Sequence, residues 1–165
     1  MLDIIKEMII DFQEQELETG ISRHLEIQDV PGKAAICIGV RRSGKSTYMF
    51  QVMKQLISNG ISRQNILYLN FFDDRLYNLQ HDGLQAIMEA YYSLFPEKKN
   101  TEKIYCFFDE IQTIPEWESF IDRLIRTEKC QVYITGSSAR MLSREIATQM
   151  RGRSLSWEIF PFTFQ

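Results

Sequence analysis

The chain has 165 residues, 44% of them hydrophobic and 25% charged, and a formal net charge of −3. That length and balance suit one globular domain with a sizeable core. The acid excess excludes a global basic field for nucleic acid or anionic lipid, and no apolar run reaches the length of a membrane span.

Residues 1–20 read as an amphipathic helix, with Leu2, Ile5, Met8 or Ile9, and Phe12 on one stripe and Gly20 closing it. A linker containing Pro31 and Gly32 follows. Ala34, Ala35, Ile36, Cys37 and Ile38 form a short apolar run, as in a strand buried on both faces. Next comes Gly39-Val40-Arg41-Arg42-Ser43-Gly44-Lys45-Ser46, which fits the P-loop pattern G-x-x-x-x-G-K-[ST] at every fixed position. Beyond it Tyr48, Met49, Val52, Met53, Leu56 and Ile57 recur at helical spacing, and Asn59-Gly60 supplies C-terminal cap chemistry.

A second strand is expected over 65–71, then a polar turn around Asp73, Asp74 and Arg75. A helix follows over 82–94, with Leu84, Ile87, Met88 and Tyr91 inward and Pro96 as its stop. Residues 104–108 read as a third strand that runs into Asp109-Glu110. Pro115 opens another helix at the N1 position it favours, with Trp117, Phe120, Ile121, Leu124 and Ile125 inward. A fourth strand over 132–135 leads into Gly136-Ser137-Ser138. A helix over 139–150, carrying Leu142, Ile146 and Met150, and a fifth strand over 154–160 complete the pattern. Strands alternating with helices imply a parallel sheet covered on both faces, with ligands at the carboxyl ends of its strands.

The chemistry gathers at those ends. Gly39 and Gly44 permit a tight turn whose N–H groups face one point, and the following helix N-terminus adds to a phosphate site. Lys45 would reach the β- and γ-phosphates, and the Ser46 hydroxyl would ligate Mg²⁺. Arg42 and Ser43, at variable positions of the loop, join the candidate nucleotide contacts; for Arg41 and Arg42, solvent or a partner is the alternative. Asp109 would hold Mg²⁺ opposite Ser46, and Glu110 would orient and deprotonate the attacking water. A hydroxyl after strand four, Ser137 or Ser138 with Thr135 behind them, would sense the γ-phosphate or position that water; a helix N-cap is a compatible role. Among Arg140, Arg144, Arg151 and Arg153, either all line a solvated helix face, or Arg151 or Arg153 acts as an arginine finger in a neighbouring subunit. Asn70, ending strand two, is a candidate to hold Glu110 in an inactive rotamer without ligand.

Cys37, Cys106 and Cys130 are odd in number, and their spacing fits neither a zinc site nor a redox pair, so they read as small buried hydrophobes. His24 and His81 have no ligand-like neighbours and read as surface residues. The N-terminus has acids and no small-residue cleavage site, and a cytoplasmic location is expected.

The strings GVRRSGKST, FFDEIQTIPEWESFI, YITGSSARMLSREIA and RGRSLSWEIFPFTF together resemble the bacterial and archaeal AAA-type ATPases, over about Arg23 to Gln165. The resemblance implies an α/β fold, the P-loop NTPase three-layer α/β/α sandwich with a parallel five-stranded sheet of order 5-1-4-3-2. It implies ATP rather than GTP, with Mg²⁺. It supports Gly39, Gly44, Lys45, Ser46 and Thr47 as phosphate and Mg²⁺ contacts, Asp109 and Glu110 as the Walker B pair, and the Ser137 region as a sensor. It makes Arg151-Gly152-Arg153 look functional, with Arg153 among the catalytic candidates. Residues 1–32 are then an N-terminal helix and linker, and 33–165 the P-loop core. A lid and a nuclease-like C-terminal domain, usual in such proteins, are expected to lie beyond Gln165.

The expected function is ATP binding and hydrolysis coupled to conformational change in attached domains. The partners are ATP and ADP, a further copy of the chain through the arginine finger, and nucleic acid only through other domains; no membrane is involved. A nucleotide-gated interaction module with little turnover and a P-loop small-molecule kinase are the alternatives. The Asp-Glu pair favours water over a second substrate, and no N-K-x-D string supports guanine.

Overall fold

Four short, mostly apolar runs and one alternating segment become parallel strands: β1 (Ala34–Ile38), β2 (Ile66–Asn70), β3 (Ile104–Asp109), β4 (Cys130–Gly136) and the alternating β5 (Ser154–Glu158). They lie in the order β2-β3-β4-β1-β5, which read from the other edge is the order the resemblance implied. The computed structural model describes residues 1–17, 32–39, 44–79 and 83–136, and the backbone of 154–158. The helix expected over 139–150, both histidines and the late arginines lie outside the described residues.

Side chains alternate across each strand, so each strand feeds two cores. Ile36, Ile38, Leu67, Leu69, Cys106, Phe108 and Ile134 face one side, beneath α3 (Ala86–Leu94) and α4 (Trp117–Thr127). Ala35, Ile66, Tyr105, Phe107 and Tyr133 face the other, beneath Met49 and Met53 of α2 (Lys45–Ser58). Phe107 and Tyr133 stack there at 4.5 Å between centroids. The α2 helix ends as its cap residues predict: Asn59 is the C-cap, and Gly60 takes φ 97° in the left-handed region open to glycine.

Two helix starts differ from the sequence expectation. The α3 helix begins at Ala86 rather than near 82, because Gly83 adopts φ 78° and breaks the turn before it. Pro115 is not at N1 of α4. Glu116 occupies the N-cap with φ 63°, and that left-handed residue separates the proline from the helix. The turn brings Trp117 into the core at 3% exposure.

Helix α1 (Leu2–Glu14) is shorter than the expected 1–20 and lies over the open edge of the sheet. Ile5, Met8 and Ile9 join the core under α3 and α4, while Phe12 joins the core under α2. One helix thus touches both layers across β2. Gln13 Nε2 donates to the Ile66 carbonyl of that edge strand at 3.3 Å. Arg63 donates to the carbonyls of Phe12 and Gln15, where a helix end leaves acceptors unpaired and its dipole favours a cation. Covering β2 in this way removes an exposed strand edge.

Ile9 is 1% exposed, so Ile9→Ala should cost about 2–5 kcal/mol of stability. A lowered urea midpoint is the expected readout. An unchanged midpoint would show that α1 is not part of the cooperative unit.

Candidate phosphate and metal site

The register brings four strand ends level. Cys37 pairs with Thr135, Phe108 with Ile134, and Asn70 with Asp109. Cys37, Thr135, Asp109 and Asn70 therefore form a row across β1, β4, β3 and β2, at the last residue of β3 and β2 and one before the last of β1 and β4. Alternation turns Asp109 toward the face covered by α2, and Ser46 stands at the start of that helix.

Asp109 is fully buried, at 0% exposure. A buried carboxylate needs donors, and three hydroxyls supply them. Ser46 Oγ donates to Oδ2 at 2.5 Å, Tyr68 OH donates to the same oxygen at 2.8 Å, and Thr135 Oγ1 donates to Oδ1. Burial, and then the Asp109 charge, hold the Tyr68 phenol well above its ordinary range, so it remains a donor. Burial and Asp109 also push the Cys37 thiol up to about 12 against the opposing pull of Lys45. Cys37 is thus a protonated, buried side chain and not a nucleophile at neutral pH.

After Asp109 the chain turns through Glu110, which sits at φ 59° and ψ 42°. A left-handed non-glycine residue is uncommon and clusters at functional sites. Here Glu110 N donates to Thr135 Oγ1 at 2.9 Å, so a single Thr135 hydroxyl ties together both acids. The Glu110 carboxylate meets Lys45 Nζ at 3.5 Å through Oε1 and accepts from Gln112 Nε2 at 2.6 Å through Oε2. Lys45, only 4% exposed, also donates to the Gly39 carbonyl across the loop. Gly39 N donates to the Gly136 carbonyl at 3.3 Å, fastening the loop entrance to β4. Gly44, at φ 89°, takes the left-handed turn that launches α2.

Of the residues expected from sequence, the structure brings Gly39, Gly44, Lys45, Ser46, Asp109 and Glu110 to one corner, with Thr47 in the first turn of α2. Arg42, Ser43, Ser137 and Arg153 lie outside the described residues, as do Arg41, Ser138, Arg140, Arg144 and Arg151. Asn70 does not play the part expected of it. Its Oδ1 accepts from Phe72 N at 3.0 Å, closing a local turn, and Gln112 holds Glu110 instead.

Two contributors, Tyr68 and Gln112, escaped the sequence reading, and Thr135 stands in it only behind Ser137 and Ser138. Tyr68 shares its strand face with Asn70, but an aromatic in an apolar strand gives no sign of a carboxylate partner. The signal for Thr135 is its place as the last polar residue of an apolar strand. Gln112 sits two positions past Glu110 in a short 3₁₀ turn and had no signal.

The Ser46 and Asp109 oxygens are hard donors of the type Mg²⁺ takes, and two protein ligands suit an ion that keeps several waters. Among the described residues no group of three or more His, Cys, Asp or Glu could hold a metal, which does not fit an ion that demands a full protein cage. A cavity of about 350 Å³ opens beside Ser46, between α1, α2 and β2, lined by Phe12, Phe50, Tyr68, Asn70, Asp73 and Arg75 among others.

A family model described as an AAA domain matches residues 31–165. An uncharacterized protein of Methanocaldococcus jannaschii is 37% identical over 163 residues, 98% of this chain and 34% of that protein. An uncharacterized protein of Haemophilus influenzae is 39% identical over 129 residues, 77% of this chain and 31% of its own length. The chain thus spans about a third of the length of these relatives. The solved structure of C. elegans PCH-2 superposes with a TM-score of 0.53 at 10% identity, over 96% of this chain and 41% of that one, a likeness of fold.

Proposed function

This chain belongs to the AAA domain family, and we propose that it binds Mg·ATP at the carboxyl end of its sheet and hydrolyses it with Glu110 as general base. The family is one of P-loop ATPase domains, so a nucleotide-binding, ATPase-type function comes with membership. The finer assignment is supported by one observation above all: Ser46 and Asp109, 63 positions apart, meet at 2.5 Å beside the Lys45–Glu110 pair.

In this reading Gly39, Arg42, Ser43, Gly44, Lys45, Ser46 and Thr47 hold the phosphates. Lys45 exchanges the Glu110 carboxylate for the β- and γ-phosphates, a move that frees Glu110 for water. Ser46 Oγ and Asp109 Oδ2 would hold Mg²⁺, which supplies charge neutralisation on the phosphate oxygens. Tyr68 and Thr135 keep the Asp109 carboxylate in place through their hydroxyls. Glu110 takes the proton of the attacking water. Ser137 would position that water, and Arg151 or Arg153 would reach the γ-phosphate of a neighbouring copy.

Coupling to conformational change in attached domains completes the proposal; the curated relatives are long enough to carry them. A division into an N-terminal helix and linker and a P-loop core, and a cytoplasmic location, belong to the same reading. Among the described residues no helix is long and apolar enough to cross a membrane. A kinase reading has one observation in its favour, the cavity beside Ser46, which would take an acceptor. Phosphate released from ATP without any added acceptor decides against it.

Calorimetric titration tests the site. Mg·ATP should bind, and Mg·GTP should bind at least about 10-fold more weakly, a difference of about 1.4 kcal/mol. Equal affinity would remove the adenine preference, and no binding of either nucleotide would remove the proposal.

A further inference from the structure

Gln112 Oε1 is buried and meets no hydrogen-bond donor among the described residues. An orphaned acceptor in an interior is rare and points to a group that satisfies it. The amide that carries it is fixed from its other side, because Nε2 donates to Glu110 Oε2 at 2.6 Å. A carboxylate only accepts, so the amide must turn its nitrogen toward Glu110 and keep its oxygen for something else. The turn beneath is held as well: Thr113 Oγ1 donates to the Glu110 carbonyl at 3.1 Å, and Ile114 N to the Ile111 carbonyl at 3.0 Å.

The two polar atoms of one amide lie about 2.3 Å apart, which places Oε1 within about 5 Å of Glu110 Oε2. A water whose O–H···O distances are about 2.7–2.8 Å reaches two acceptors at such a separation with its two hydrogens. One acceptor is the proposed base. The other is the orphan.

We propose that Gln112 positions the attacking water, its Oε1 accepting one hydrogen while Glu110 accepts the other. The inference rests on the reading of Glu110 as base and adds a second residue, beside Ser137, that orients the nucleophile. In the step, the water oxygen bonds to the γ-phosphorus. The bond from that phosphorus to the bridging oxygen breaks, and its electron pair leaves with ADP. The water proton passes to Glu110. Gln112 is unchanged and loses or gains no proton; it restricts the water to orientations that aim a lone pair at phosphorus.

The test compares Gln112→Met, Gln112→Ala and Glu110→Gln with the wild type in the full polypeptide. It reads kcat and KM for Mg·ATP hydrolysis, Mg·ATP affinity by calorimetry, and the urea midpoint. Methionine keeps the length and packing of glutamine without its hydrogen bonds. Both Gln112 variants should lose about 10- to 100-fold in kcat, with KM, affinity and midpoint near wild type. A wild-type kcat in Gln112→Met overturns the proposal. So does a raised kcat, which would make Gln112 a restraint on Glu110, and so does a fall in affinity or midpoint that matches the fall in kcat. If Glu110→Gln is inactive while Gln112→Met hydrolyses normally, only the role of Gln112 fails. If Glu110→Gln hydrolyses at the wild-type rate, the base assignment fails and this role fails with it.

Discussion

Lys45→Ala should lower Mg·ATP affinity by at least about 100-fold, or about 2.8 kcal/mol. The lysine is 4% exposed, and its ammonium lies between the Gly39 carbonyl and the Glu110 carboxylate. It is therefore an ammonium already stripped of most water and aimed into the loop, so its transfer to phosphate carries little desolvation cost. Removing it subtracts a buried cation where phosphate charge would accumulate, and losing one partner of a buried charge pair costs about 3–5 kcal/mol. It also leaves the Glu110 carboxylate, 8% exposed, beside the bound anion with no cation between them. Calorimetry with Mg·ATP reads the result directly. Wild-type affinity in Lys45→Ala would remove Lys45 from the phosphate site.

Glu110→Gln should leave Mg·ATP affinity within a few-fold of wild type and slow hydrolysis by about 10²–10⁴-fold, the range that a general base contributes. The substitution preserves shape. Its amide oxygen still accepts from Lys45, and Gln112 needs only to turn its own amide over to match the new NH₂ group. The left-handed backbone at Glu110 is as open to glutamine as to glutamate, so the Thr135 contact persists. What disappears is the proton acceptor. Phosphate release under saturating Mg·ATP is the measurement, and an unchanged rate would show that another group takes the proton.

The two ends of α2 were legible because their constraints are local. Gly44 takes φ 89°, which few residues other than glycine adopt, and Gly60 takes φ 97° at the end of the same helix. The strand that precedes Asp109 was legible because its apolar run is buried along its whole length. The start of α4 was not legible. Pro115 at N1 was the local optimum, yet the left-handed Glu116 displaced it, and the reward for that turn is the burial of Trp117 against distant residues. Likewise, nothing near Arg63 in sequence announces that it closes the carboxyl end of α1, 48 to 51 positions away.

Asn70 and Gln112 make the same contrast within the site. Asn70 ends the strand beside Glu110, which makes it the neighbour expected to touch that acid, but its oxygen accepts from Phe72 N in a local turn. Gln112 reaches Glu110 because the 3₁₀ turn folds the chain back over two residues.

By itself, then, the sequence determined the type of each described strand and α-helix, the glycine turn that launches α2, and the acid that ends β3, because backbone preference and side-chain alternation act over a few residues. Likeness to a family supplied the strand order. Only the tertiary structure decided which hydroxyls hold Asp109, which amide holds Glu110, and that α1 closes the edge of β2. Those contacts join residues 26 to 63 positions apart, or depend on a turn whose geometry the packing sets. Their pairing follows from lateral order and register, and these are settled by filling two cores at once rather than by any local preference.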